Sequence, residues 1–209
     1  MIDNEKLKEW AKQIYENACA HGWHEESKPD KLWMCLVMSE VAEAVEADRK
    51  HISVNGNIAG FEKLTGVGHD FKTVYKDYVK GSVAEELADV VIRLLDYAYM
   101  RWGDKFPWNV EYGNVIPSDN FAVNAFTFVK YVLNYGSMNI MESICYVIEW
   151  ADRLGIDFVW HIEHKMKYKK DIENPEVITE DLKFSADLIN QIDMRMQQIR
   201  EKIDASDDL

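Results

Sequence analysis

Residues 82–98 read SVAEELADVVIRLLDYA, and this stretch decides the fold. Ser82 followed by Glu85 is a capping box, which satisfies the free N–H groups at the start of a helix. Leu87, Val90, Val91, Leu94, Leu95 and Ala98 then recur at steps of three and four, the helical period. Glu86 lies in line with Val83 and Val90, on the side expected to pack, and Asp89 follows it by three residues. An ionised carboxylate on a packing face costs several kcal/mol unless a cation or a metal compensates it.

The same pairing stands earlier in the chain. Pro29-Asp30 opens a helix whose stripe runs Leu32, Leu36, Glu40, Glu43 and Ala47, with Arg49 and Lys50 at its end, where cations suit the helix dipole. Glu40 and Glu43 share a face of that helix, and the face is the apolar one. Two helices that each carry acids three residues apart can bring four carboxylates to one point in a bundle. Hard oxygen donors of this kind suit Mg²⁺ or Mn²⁺. Acid pairs at this spacing also occur on solvated helix faces, which leaves a non-enzymatic helical interaction protein as an alternative. A di-iron bundle requires Glu-x-x-His on two helices, and none of the six histidines follows a glutamate by three residues.

The remainder of the chain is also helical in pattern. Asn4 is placed to cap a first helix carrying Leu7, Trp10, Ala11, Ile14 and Ala18 and ending near His21-Gly22. Residues 51–70 hold Gly56, Gly60, Gly66 and Gly68 and read as a loop. Residues 103–120 read as irregular connection, and 121–135 and 138–154 as helices split at Gly136-Ser137. Asp157 caps a helix running through Trp160, Ile162, Met166 and Tyr168, which Asn174-Pro175 stops; a last amphipathic helix spans about 180–203. No period-two run of β-branched residues is long enough for a sheet, so the expected fold is all-α, one domain over residues 1–209 with an insertion at about 101–149.

Composition narrows the function. The 209 residues carry 24 Lys+Arg against 37 Asp+Glu, a net charge of -13, a balance that repels nucleic-acid phosphates. Hydrophobic residues at 47% and seven tryptophans are enough for a sizeable core, which excludes a disordered acidic tail. Cys19, Cys35 and Cys145 are odd in number and lack CxxC spacing, against both a disulfide framework and a thiolate zinc site. Residues 1–5 show no basic stretch before an apolar run, and the apolar run 90–100 is broken by Arg93 and Asp96 and falls short of the ~20 residues a bilayer span needs. A soluble cytoplasmic protein without nucleic-acid or membrane partners is the expectation.

Several segments taken together resemble the MazG-like nucleoside triphosphate pyrophosphohydrolases: Gly22-Trp23, residues 36–47 (LVMSEVAEAVEA), residues 85–96 (EELADVVIRLLD), Leu154-Gly155-Ile156-Asp157 and Lys165-Met166-Lys167-Tyr168. The resemblance covers about 5–100 and 150–170, in matching order. It implies an all-α NTP pyrophosphatase fold in which Glu40, Glu43, Glu86 and Asp89 hold Mg²⁺ and act catalytically, while Lys165 and Tyr168 lie near the triphosphate or base. It also implies hydrolysis of an NTP or dNTP to the monophosphate and pyrophosphate, in the service of nucleotide-pool cleansing, by a homodimer or homotetramer. A dimeric all-α deoxyuridine triphosphatase is the alternative within the superfamily. The chain departs from the family at Ser39, where a leading glutamate is common, and at Lys169 and Ile172, where an asparagine and an arginine are usual. Trp23 and Arg49 are weaker candidates, for substrate stacking and phosphate contact; core packing and helix-end charge are their ordinary roles. Lys165, Lys167, Lys169 and Lys170 with His161 and His164 form one basic cluster; a solvated helix end is as good a reading for Lys167 and Lys170, while Lys165 is singled out because it also fits the family element.

Overall fold

The computed structural model describes residues 2–113, 116–133 and 136–170. Among them the chain forms α1 (Asn4–Ala20), α2 (Asp30–Arg49), α3 (Ile58–Gly66), α4 (Phe71–Tyr78), α5 (Val83–Trp102), a 3-10 turn (Gly103–Lys105), α6 (Phe121–Val132), α7 (Ser137–Arg153) and α8 (Phe158–Lys170). No strand occurs among the described residues, and the fold is all-helical as expected. No helix among them is long and apolar enough to cross a membrane. The last amphipathic helix expected at 180–203, and the stop at Asn174-Pro175, lie outside the described residues.

Helix α5 is the axis of the molecule. Fifteen of its 20 residues are buried, so it is enclosed on nearly every side. α1, α2, α7 and α8 pack around it, and α6 closes over α2 and α7. The interior is filled by Trp10, Leu87, Leu94, Phe128, Trp150 and Ile162, all fully buried. Each such side chain contributes roughly 1.5–3 kcal/mol by leaving water.

The caps follow the sequence with two shifts. Ser82 caps α5 as expected, its hydroxyl accepting from the Glu85 N–H at 3.3 Å. α1 is capped by Asp3, whose carboxylate accepts from the Lys6 N–H at 2.8 Å. The Asn4 side chain instead reaches across the molecule, where its Oδ1 accepts from the Val110 N–H at 2.7 Å. Pro29 stands just before the first turn of α2, at the cap position.

The loop expected over 51–70 is in part a helix, α3, and α4 follows directly. Glycine content misled the reading because two of the four glycines, Gly56 and Gly60, serve close approach, while a Cβ on Gly66 or Gly68 would meet nothing within 4 Å. A Cβ on Gly60 would lie 2.7 Å from the Tyr78 ring, and one on Gly56 would lie 2.7 Å from the Tyr78 carbonyl oxygen. α3 and α4 therefore pack as a hairpin, with Asn57 Oδ1 capping α3 through the Gly60 N–H at 2.9 Å. Phe61, Val74, Tyr75 and Val79 form its own small core, on which Tyr168 of α8 rests.

Residues 106–113 and 116–120 are irregular, as read from the prolines and glycines of this stretch. Their aromatics belong to the core: Phe106 lies between Trp102 and Trp108, and Phe121 meets Trp150 at 4.5 Å. Of Trp102, Phe106, Trp108, Tyr112, Phe121, Phe126 and Phe128, Phe126 alone is exposed, and none of the seven lines the cavity described below.

Gly60→Ala separates close packing from loop flexibility. In an open helix alanine gains about 1 kcal/mol over glycine. Here the added methyl meets Tyr78, and urea unfolding is expected to show a loss of about 1–3 kcal/mol.

Candidate metal centre

The first turn of α5 is built around Glu85. Its Oε2 accepts from the Gly81 N–H at 2.9 Å, completing the cap from the acid side, while its Oε1 receives the Lys165 ammonium. Glu85 is fully buried. The sequence reading used it only as a cap and missed that it also holds a cation; the capping box itself was the signal, since a cap on a fully packed helix leaves one carboxylate oxygen facing inward.

One turn along, Glu86 and Asp89 are buried, at 7% and 4% exposure. α2 supplies Glu40, also buried, and Glu43, which is exposed. Glu43 thus departs from the expectation that both α2 acids lie in the packed stripe. Steps of three residues turn a helix by roughly 300°, so Glu40 faces α5 and Glu43 sits at the rim. The two helices still converge. Ligand oxygens of Glu40, Glu43 and Glu86 all lie within 4.8 Å of one another, and so do those of Glu85, Glu86 and Asp89.

Three cations enter the same space. Arg93, one turn beyond Asp89, donates from Nε to Glu40 Oε1 at 3.0 Å. Lys165 bridges Glu85 and Asp89, and Lys169 Nζ stands 2.5 Å from Asp89 Oδ1. The basic cluster read along α8 is therefore divided. Lys165 is buried and Lys169 is mostly covered, Lys167 and Lys170 are exposed, and His161 is fully buried with neither ring nitrogen partnered. Burial pushes the His161 imidazole down to about 4, so it is neutral at pH 7 and adds no positive charge.

Electrostatics distinguish the acids. Burial, then the charge of Asp89, pushes the Glu40 carboxyl above the usual range. Burial, then Glu85 and Asp89, pushes Glu86 up to about 9. Burial acts on Asp89 in the same sense, but Lys165 and Lys169 together outweigh it and hold this carboxyl well below the usual range. Burial opposes charge on Lys165, yet Asp89 and Glu85 keep its ammonium well above the ordinary lysine value. For Lys169 burial prevails, and its pKa falls.

The remaining predicted residues separate. Tyr168 is buried, stacks on Tyr75 at 4.7 Å, and has the Lys165 ammonium 5.9 Å from its ring centre. Trp23 lies with the Arg93 guanidinium 5.7 Å from its ring, and its indole N–H is buried without a partner. Arg49 is exposed, pairs with Glu46 at 3.4 Å on its own helix, and does not line the cavity. That cavity, about 730 Å³, opens between α1, α5 and α8 and is lined by Trp23, Arg93, Asp96, Lys167, Lys169 and Lys170 among others. At its α5 wall, His24 Nε2 meets Asp96 Oδ1 at 2.9 Å, with the imidazole between Tyr15 and Trp33. The sequence reading passed over His24 because its partner lies 72 residues away.

The molecule is thus an all-helical bundle with a buried carboxylate and ammonium centre on its axial helix, beside a cavity of mixed charge. The chain matches no family model, no curated protein and no solved structure.

Glu86 makes the stability of the metal-free protein depend on pH. Its carboxyl titrates near 4.5 when unfolded and at about 9 when folded, so the folded state holds the extra proton between those values. Its contribution to stability is complete below 4.5 and is lost as pH rises towards 9, with a slope of at most about 1.4 kcal/mol per pH unit. Urea midpoints measured in chelator between pH 6 and 9 are expected to fall for the wild type and to fall less steeply for Glu86→Gln.

Proposed function

We propose that this chain is a divalent-metal-dependent nucleoside triphosphate pyrophosphohydrolase of the MazG-like type, cleaving an NTP or dNTP to the monophosphate and pyrophosphate. The observation that carries the reading is Glu86. It is buried, has no hydrogen-bond or salt-bridge partner among the described residues, and has an oxygen within 4.8 Å of one oxygen each of Glu40 and Glu43. A buried acid left in that state is the donor a divalent cation would satisfy.

The donor set suits Mg²⁺ or Mn²⁺: carboxylate oxygens only, from two helices, with Glu43 at the solvent edge where substrate oxygens and water can complete the shell. Such an ion supplies neutralisation of charge on the phosphoryl oxygens. The protein residues do the rest. Lys167 and Lys170, exposed along the cavity, offer positive charge to the phosphates, and Trp23 offers a ring face at its edge. Glu40 is held in place by Arg93, and a neighbouring carboxylate orients the water and takes its proton. The oxygen of that water bonds to the α-phosphorus as the bond to the bridging oxygen breaks and pyrophosphate leaves.

Purified protein is to be assayed with Mg²⁺ against a panel of NTPs and dNTPs, reading pyrophosphate release. Glu40→Gln and Glu86→Gln are each expected to lower turnover at least about 100-fold; Glu86→Gln should melt near or above the wild type, whereas Glu40→Gln, which removes the anionic partner of buried Arg93, should melt below it. Wild-type activity in both variants overturns the site. Hydrolysis of dUTP alone supports a deoxyuridine triphosphatase instead, and no hydrolysis of any triphosphate at any Mg²⁺ concentration supports a non-enzymatic interaction protein.

A further inference from the structure

The two groups of acids share Glu86 but differ in what already fills them. In the group of Glu85, Glu86 and Asp89 an ammonium is seated. Lys165 Nζ bridges Glu85 Oε1 and Asp89 Oδ2, Lys169 lies against Asp89 Oδ1, and the Gly81 N–H occupies Glu85 Oε2. Every carboxylate oxygen of Glu85 and Asp89 therefore faces a cation or an N–H, Asp89 Oδ1 through its ion pair with Lys169 alone. In the group of Glu40, Glu43 and Glu86, Arg93 engages Glu40 Oε1, and the Glu86 carboxyl, 7% exposed, has no hydrogen-bond or salt-bridge partner among the described residues. Four buried carboxylates, Glu40, Glu85, Glu86 and Asp89, thus face three cations, Arg93, Lys165 and Lys169, and the acid left over is Glu86.

A divalent ion entering the Glu85, Glu86 and Asp89 group would have to displace the Lys165 ammonium or stand beside it, against strong like-charge repulsion in a poorly solvated space. We propose that Lys165 is a built-in cation in the place a second metal ion would take, so that the chain binds one divalent ion, on Glu86 with Glu40 and Glu43, and uses Asp89 as the anchor for Lys165 and Lys169. This rests on the metal-dependent reading above and deepens it: Asp89 becomes a positioning residue, and the site is a one-metal site completed by lysine.

The test counts ions. The full chain is titrated with Mn²⁺ in the absence of nucleotide, free Mn²⁺ being read by its electron paramagnetic resonance signal, with circular dichroism as the check on folding. One Mn²⁺ per wild-type chain is expected, and two in Lys165→Gln, whose melting temperature should also gain more from added Mn²⁺ than that of the wild type. If Lys165→Gln does not fold, Lys169→Gln decides: loss of a neighbouring positive charge is expected to tighten the single Mn²⁺ by about tenfold. Two Mn²⁺ in the wild type, one in folded Lys165→Gln, or unchanged affinity in Lys169→Gln overturns the inference while leaving a metal centre in place. No Mn²⁺ bound to the wild type overturns the metal centre as well.

Discussion

Charge buried on the axial helix is the constraint from which the rest of the structure follows. α5 is enclosed by four other helices, yet it carries Glu85, Glu86, Asp89 and Asp96 among its apolar residues. Each of these acids has to be compensated where it lies, because water does not reach it. Lys165 does this from α8 for Glu85 and Asp89, His24 makes a hydrogen bond with Asp96, and Arg93, on α5 itself, pairs with Glu40 of α2. α8 is consequently held twice, by Phe158 and Ile162 in the core and by two lysines whose ammonium groups end inside the bundle.

The compensation is uneven, and the unevenness is where chemistry can occur. Glu85 and Asp89 are saturated, Glu40 is held by one guanidinium, and Glu86 is left with the proton affinity of a carboxyl among other carboxylates. On the metal-dependent reading proposed above, the folded protein would keep Glu86 protonated until an ion arrives. The cavity between α1, α5 and α8 meets this centre through Arg93 and Lys169, which line the one and pair with the acids of the other.

Much of this was legible along the chain. Glu40 and Glu86 stood out because helical period places them among apolar residues, and both are buried. The capping box at Ser82 located the start of α5 to the residue. Glu43 was misjudged because spacing alone cannot tell the centre of a buried face from its rim. α3 was misjudged because glycine read as freedom was glycine required for contact with Tyr78. Lys167 and Lys170, open to the reading of a solvated helix end, are exposed, but that Lys165 and Lys169 end inside the bundle was not legible, since their acidic partners Glu85 and Asp89 lie 80 residues earlier in the chain.

By itself the sequence determined the all-helical class, the start of α5 and the two helices that bear the acids. Period, capping and apolar content are properties of neighbouring residues, and neighbours are what a sequence displays. Only the tertiary structure decided which acids are compensated and by what: Lys165 on Glu85 and Asp89, Arg93 on Glu40, and Glu86 on none of them. Those pairings depend on how helices distant in the chain dock, and in a low-dielectric interior a few ångströms of docking decide whether a charge is matched.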